Sequence, residues 1–185
     1  ISAREGGASV LVLEKSPPDA QGGNCPYTGG GFRFTHDGLN DLQTLLSPGF
    51  DVGSSTMEPY TANDFRKHFE EATHGDTSDE LSEVIVTQSR STVDWMHSHG
   101  VIWELSVNPN LENAPSVIPN QVGLSAHESG PGLVEMLTRS AERDGVQILY
   151  ETKMVELMQG ERGEITGLLA QDVEGRHRIR SKAVM

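Results

Sequence analysis

A short helix-forming stretch, a Gly6-Gly7 stop and the apolar run Ala8-Ser9-Val10-Leu11-Val12-Leu13 closed by Glu14 form the segment that most restricts how this chain can fold. A glycine pair behind Ala3-Arg4-Glu5 ends a helix, and a short apolar run behind the pair reads as a buried strand. Parallel neighbours in a sheet are joined by a crossover, so a buried strand emerging from a helix implies another strand before that helix. The expectation is an α/β fold whose first strand precedes Ile1.

Further along, the same theme returns once and then gives way. Lys15 to Thr35 is polar and glycine-dense and reads as one long loop, a length that in compact domains marks function or disorder. Two helical patterns span Tyr60 to His99. Phe65, Phe69 and Ala72 carry the first; Leu81, Val84, Ile85, Val93, Trp95 and Met96 carry the second, with Asp79 as its N-terminal cap and Ser82-Glu83 in its first turn. Gly100 stops that helix before a short strand from Val101 to Leu105, and the stretch 108–129, rich in Pro, Asn and Ser, reads as an irregular excursion. Gly130-Pro131-Gly132 precedes a periodic helix through Leu133, Val134, Leu137 and Ala141 that closes at Asp144-Gly145, and Val146 to Tyr150 follows as a strand. The tail alternates from Thr152 to Met158, turns at 160–164, returns over Ile165 to Ala170, turns at Glu174-Gly175 and ends in a strand entering Ala183-Val184-Met185. That is a meander of hairpins.

Charge and cysteine usage exclude several classes. With 14 Lys+Arg against 27 Asp+Glu the formal net charge is −13, which disfavours nucleic acid as a partner because counterion release needs clustered cations. No run approaches the roughly 20 apolar residues of a membrane helix, and Ile1-Ser2-Ala3-Arg4-Glu5 lacks the regions of a signal peptide. No transmembrane segment is expected, and a cytosolic setting is the default. The single Cys25 offers neither an internal disulfide nor a redox pair or zinc knuckle, and the histidines show no metal spacing, so no metal site is expected.

Glu14 is the first residue with chemical promise. A carboxylate at the C-terminal end of a parallel strand stands where a dinucleotide fold places the acid that accepts hydrogen bonds from adenosine ribose hydroxyls. Alone, it reads equally well as a solvated strand-end acid. The loop behind it adds context: Gly22-Gly23-Asn24 and Thr28-Gly29-Gly30-Gly31 let backbone N–H groups approach phosphate or a flat ring without a Cβ in the way, the other reading being a flexible surface loop. Leu11-Val12-Leu13-Glu14-Lys15 and these two glycine clusters together resemble the flavoprotein subunits of fumarate reductase and succinate dehydrogenase and their relatives. Within that superfamily, Pro59-Tyr60-Thr61, Asp64-Phe65, Thr73-His74-Gly75, Val93-Asp94-Trp95-Met96 and Gly100 to Leu105 are most similar to the FAD-dependent tricarballylate dehydrogenase branch.

The resemblance implies a Rossmann-like FAD-binding domain with a mainly parallel sheet, crossover helices and an added antiparallel β-meander. It implies Glu14 on the FAD ribose, and Lys15, Ser16, Gly22, Gly23, Asn24, Cys25, Thr28, Gly29, Gly30 and Gly31 around the diphosphate and flavin. Val155 is expected to meet the adenine through its backbone, where ordinary strand packing is the plainer reading. Relatives with covalent FAD attach it through a histidine near the glycine cluster; this chain has none before His36, so the FAD is expected to be non-covalent.

His127, in Leu124-Ser125-Ala126-His127-Glu128-Ser129-Gly130, occupies a region similar to the one where fumarate reductases place a histidine on a substrate carboxylate. Glu128 and Ser129 replace the family's His-Arg-Pro continuation, and a solvated loop histidine is the alternative. Residues 1–185 are expected to be a partial FAD-binding domain, with a Gly-x-Gly-x-x-Gly turn before Ile1 and a capping domain, carrying the catalytic residues, after Met185. Alone, the piece is expected to be inactive and to bind FAD poorly. The implied reaction oxidises or reduces a carbon–carbon bond next to carboxylates in a di- or tricarboxylic acid such as tricarballylate, with a small-molecule substrate and a separate electron acceptor. Two other readings stay open: a flavin-dependent dehydrogenase of ketosteroids, with an apolar substrate cavity, and a catalytically silent remnant serving as an interaction domain.

Overall fold

Strand β1 (Leu11–Leu13) lies parallel to β5 (Gln147–Leu149), with Leu11 opposite Gln147 and Leu13 opposite Leu149. A computed structural model describes residues 1–52, 57–106 and 123–185, so of the excursion expected over 108–129 the part 108–122 lies outside the described residues. The chain divides into two compact units, Ile1–Gly23 with Thr138–Met185, and Asn24–Leu137.

The first unit holds α1 (Ser2–Glu5), β1, β5 and a three-stranded antiparallel sheet of β6 (Lys153–Gln159), β7 (Ile165–Gln171) and β8 (Arg176–Arg180) in that order. Arg4 ties the short helix to the turn before β5, its Nε donating to the Asp144 carbonyl at 2.8 Å. β1 is shorter and more open than expected: Leu11 is 38% and Val12 41% exposed. Two paired strands leave their faces uncovered by further layers, so apolarity alone does not bury them. The meander is present, but its last strand ends at Arg180 and does not run on into Ala183-Val184-Met185.

The second unit supplies the main core. It contains β2 (Gly31–Phe32), α2 (Leu39–Leu42), α3 (Ala62–Thr73), α4 (Asp79–Ser98), β3 (Trp103–Leu105), β4 (Leu124–Ala126) and the first part of α5 (Ser129–Arg143). The sheet order is β2-β4-β3, antiparallel throughout. Period-two alternation buries Trp103, Leu105, Leu124 and Ala126 on one face, where Phe34, Leu42, Leu45, Leu46, Val93, Met96 and Val101 pack with them. Phe32 sets its ring edge-on to Trp103 at a centroid distance of 5.2 Å.

Local chemistry sets the helix ends. Thr61 and Asp64 form a reciprocal capping box on α3, with Asp64 N–H donating to Thr61 Oγ1 and Thr61 N–H to Asp64 Oδ2. On α4 the cap is Ser78, whose hydroxyl accepts from Leu81 N–H at 3.4 Å; Asp79, expected as the cap, is the first helical residue and complements the helix dipole. The buried residues of α4 are Val86, Val93 and Met96, while Leu81, Val84 and Ile85 face outward. Arg90 joins Asp94 one turn on and Asp41 at the end of α2.

The α/β class holds, with a proportion that differs from expectation. Among the described residues one strand pair is parallel and the others are antiparallel. The 15–35 segment is also more ordered than a single loop, since it contains the 3-10 turns Pro18–Ala20 and Cys25–Tyr27 and strand β2. Helix α5 starts at Ser129, so Gly130-Pro131-Gly132 forms its first turn instead of preceding it. Trp103, fully buried at the centre of the larger core, sets the expected scale: Trp103→Ala costs about 3–5 kcal/mol. Urea denaturation of the two forms measures it.

Candidate functional site

Glu14 is held by three layers of backbone bonding. Its N–H donates to the Leu149 carbonyl at 2.9 Å, which carries the parallel ladder one residue past β1, and its own carbonyl accepts from Thr152 N–H at 2.9 Å. Glu151 N–H donates to the Ser16 carbonyl at 3.1 Å, tying the turn after β1 to the turn after β5. The side chain folds over its own loop: Oε1 accepts from Ser16 N–H at 2.8 Å and Oε2 from Gly22 N–H at 3.4 Å. Gly22 sits at φ 94°, a region that L side chains rarely adopt, which turns its N–H back toward the acid.

These donors, the Ser16 N–H first, hold the Glu14 carboxyl below the usual range, against the opposing effect of its partial burial. The acid is charged at neutral pH. A carboxylate offers about four lone-pair directions, and the loop uses two, leaving acceptor capacity for two vicinal hydroxyls. Because the folded value is depressed, this bonding contributes stability above the ordinary glutamate range and loses it as pH falls through the folded value.

Val155 stands in the same unit, at a β-bulge. Met154 pairs with Ala170 and Glu156 with Leu169, so Val155 is the extra residue, left out of the β6–β7 register and 40% exposed. A bulged residue keeps its backbone groups available to a ligand, which ordinary strand packing would not. Lys15, Gly23 and Asn24 are exposed, and a Cβ built on Gly23 meets nothing within 4 Å.

In the second unit the glycine cluster does two separate jobs. Gly30 is buried at φ 65°, and a Cβ there would lie 2.7 Å from the carbonyl carbon of Ser129. Its N–H donates to Thr28 Oγ1 at 3.2 Å and its carbonyl accepts from Ala126 N–H at 2.9 Å. Gly30 thus has a packing role of its own: both backbone groups are hydrogen-bonded within the chain and its missing side chain makes room for the start of α5. Gly130 answers from the other side, since a Cβ there would collide with the Cys25 carbonyl, and its own carbonyl accepts a long contact from Cys25 Sγ at 3.7 Å. Gly31 pairs with Ser125 in the sheet. Gly29 differs from all of these: it is exposed, its φ is not in the left-handed region, and a Cβ would meet nothing within 4 Å. Nothing in the described chain requires glycine there.

His127 follows β4, and strand alternation places Glu104 and Ser125 on one face with His127 the next residue on that face. Its Nδ1 lies 2.6 Å from Glu104 Oε1, and this bond, then the charge of Glu104, raises the imidazole above the ordinary histidine range. Nε2 is left for a further partner. The next two residues, Glu128 and Ser129, both adopt positive φ, 58° and 61°, a strained turn that ends the strand and starts α5 within two residues.

Sequence reasoning passed over Glu104, placed only as a strand residue, because a hydrogen bond set by the register of two strands far apart in sequence leaves no local signal. It also passed over the packing role of Gly130. Among the described residues no group of three His, Cys, Asp or Glu side chains could hold a metal ion, and no helix is long and apolar enough to cross a membrane.

The family described as "FAD binding domain" matches residues 1–185. Solved structures share the fold. An open conformation of a flavocytochrome c3 fumarate reductase is 18% identical with a TM-score of 0.70, over 100% of this chain and 30% of that one. A 3-ketosteroid-Δ4-(5α)-dehydrogenase from Rhodococcus jostii RHA1, in complex with 4-androstene-3,17-dione, is 20% identical with a TM-score of 0.65, over 97% and 40%. The E. coli quinol fumarate reductase is 13% identical with a TM-score of 0.66, over 98% and 28%. The chain thus spans well under half the length of these proteins. No curated protein sequence matches it.

Two outcomes are expected. Gly30→Ala destabilises by about 1–3 kcal/mol in chemical denaturation, whereas Gly29→Ala stays within about 0.5 kcal/mol of the parent. In Glu104→Gln the His127 titration, followed by NMR of the imidazole, moves down toward the ordinary value. Because the parent value is raised, stability from this pair is full below the ordinary histidine range and disappears as pH rises through the folded value.

Proposed function

Because the chain belongs to the FAD binding domain family, whose cofactor is FAD, we propose that it supplies the FAD-holding part of an oxidoreductase acting on a carbon–carbon bond beside the carboxylates of a di- or tricarboxylic acid, with tricarballylate as the substrate to try first. The residues present fit the cofactor. Glu14 has two unspent acceptor directions, Gly23 and Gly29 leave open approaches, and Val155 keeps its backbone out of the register.

In this reading Glu14 accepts the adenosine ribose hydroxyls, helped by the polar turn of Lys15 and Ser16, and Val155 meets the adenine edge through its backbone. The family resemblance assigns Gly22, Gly23, Asn24, Cys25, Thr28, Gly29 and Gly31 to the diphosphate and flavin, and the FAD is non-covalent. When bound, FAD accepts or returns the hydride. The observation that carries the substrate class is the Glu104–His127 pair. Glu104 on Nδ1 favours the protonated ring, and in that form the Nε2–H is a charge-assisted donor for a substrate carboxylate. The capping domain, the proton-handling residues and the electron acceptor belong to the whole protein, and so do the activity and its direction.

A flavin absorbance spectrum of the intact protein tests the reading. Bleaching of bound flavin by tricarballylate is the expected result, with His127→Gln raising the acid's KM roughly ten- to a hundredfold. Bound flavin that no di- or tricarboxylate bleaches, but a 3-ketosteroid does, would replace the carboxylate by an apolar substrate. Absence of flavin would remove the enzyme reading altogether.

A further inference from the structure

We infer that Gln21 is a positioning residue for the ribose-binding acid, a role that rests on the FAD reading above. Gln21 follows the 3-10 turn Pro18–Ala20 and immediately precedes Gly22, whose N–H reaches Glu14 Oε2. Its side-chain Oε1 accepts twice: from the Tyr150 hydroxyl at 3.0 Å and from Thr138 Oγ1 at 3.3 Å. Thr138 lies on α5 and Tyr150 is the first residue past β5, so one amide pins the loop after β1 to both the helix and the strand that build its sheet.

The two bonds on Glu14 differ in what they depend on. Ser16 N–H is two residues from the acid and reaches Oε1 at 2.8 Å through the local turn alone. Gly22 N–H is eight residues away and reaches Oε2 at 3.4 Å only because the loop returns. The longer bond is the one sensitive to loop position, and Gln21 is the residue beside it whose side chain is anchored outside the loop. Releasing Gln21 leaves the carboxylate hinged on Ser16 and free to rotate. That disperses the acceptor directions that two vicinal ribose hydroxyls require, without disturbing the flavin half of the cofactor.

The test is titration of the intact protein with FAD, ADP and FMN, comparing wild type, E14Q, Q21A, Y150F and Q21A/Y150F. Q21A is expected to weaken FAD and ADP by one common factor, about five- to tenfold for a lost hydrogen-bond anchor, and to leave FMN unchanged. Q21A/Y150F should bind no more weakly than Q21A, because both changes remove the same bond. Y150F alone, which deletes one oxygen atom, should shift FAD and ADP in the same direction, and it keeps the test open if Q21A fails to fold. Unchanged FAD affinity in Q21A and Y150F, or an equal loss for FMN, would overturn the role. Failure of E14Q to weaken FAD would instead overturn the FAD reading beneath it; weakening by E14Q without weakening by Q21A overturns only the role of Gln21.

Discussion

The parallel pairing of β1 with β5 is the constraint from which the candidate cofactor chemistry follows. It extends past the strand, through Glu14 N–H on Leu149 O and Thr152 N–H on Glu14 O, so the acid emerges from a rigid backbone even though its side chain is only partly covered. Fixing the backbone first means that two N–H groups of the following loop suffice to aim the carboxylate. The same register leads from β5 through the Tyr150–Thr152 turn into β6, where the bulge at Val155 interrupts the pairing.

The second unit solves a different problem, that of bringing a loop backbone against a helix start. Gly30 and Gly130 each lack the atom that would collide with the other's segment, and Thr28 stitches the loop with its hydroxyl, accepting from Gly30 N–H and donating to the Cys25 carbonyl. Close approach of this kind is structural and consumes glycines that resemble ligand-contact glycines in sequence. Only the geometry separates Gly30, spent on packing, from Gly29, left facing open space.

Much of the fold was legible from periodicity. Both long helices, the meander and the helix-to-strand step into β5 follow from spacing, glycine stops and alternation. What was not legible has identifiable causes. The Ser78 cap lies one residue from an equally plausible Asp79, and the choice depends on the backbone turn. The exposure of β1 depends on how many strands and layers join it, which no local pattern encodes. At the candidate site, Glu14 and His127 were visible as residue types in context, and Cys25 and Thr28 as loop members. The partners Glu104 and Gln21 were invisible, because their roles arise from register and from contacts across more than a hundred residues of chain in the case of Gln21 with Tyr150.

That long span also has a kinetic meaning. Leu11 meets Gln147 only across nearly the whole intervening sequence, and closing so large a loop is entropically unfavourable until the chain between has condensed. Helical contacts close over a few residues and carry no such cost, whereas β2 meets β4 only through the long-range pairing of Gly31 with Ser125. The pairing that fixes the backbone of Glu14 therefore depends on the intervening chain far more heavily than a hairpin such as β6–β7 does.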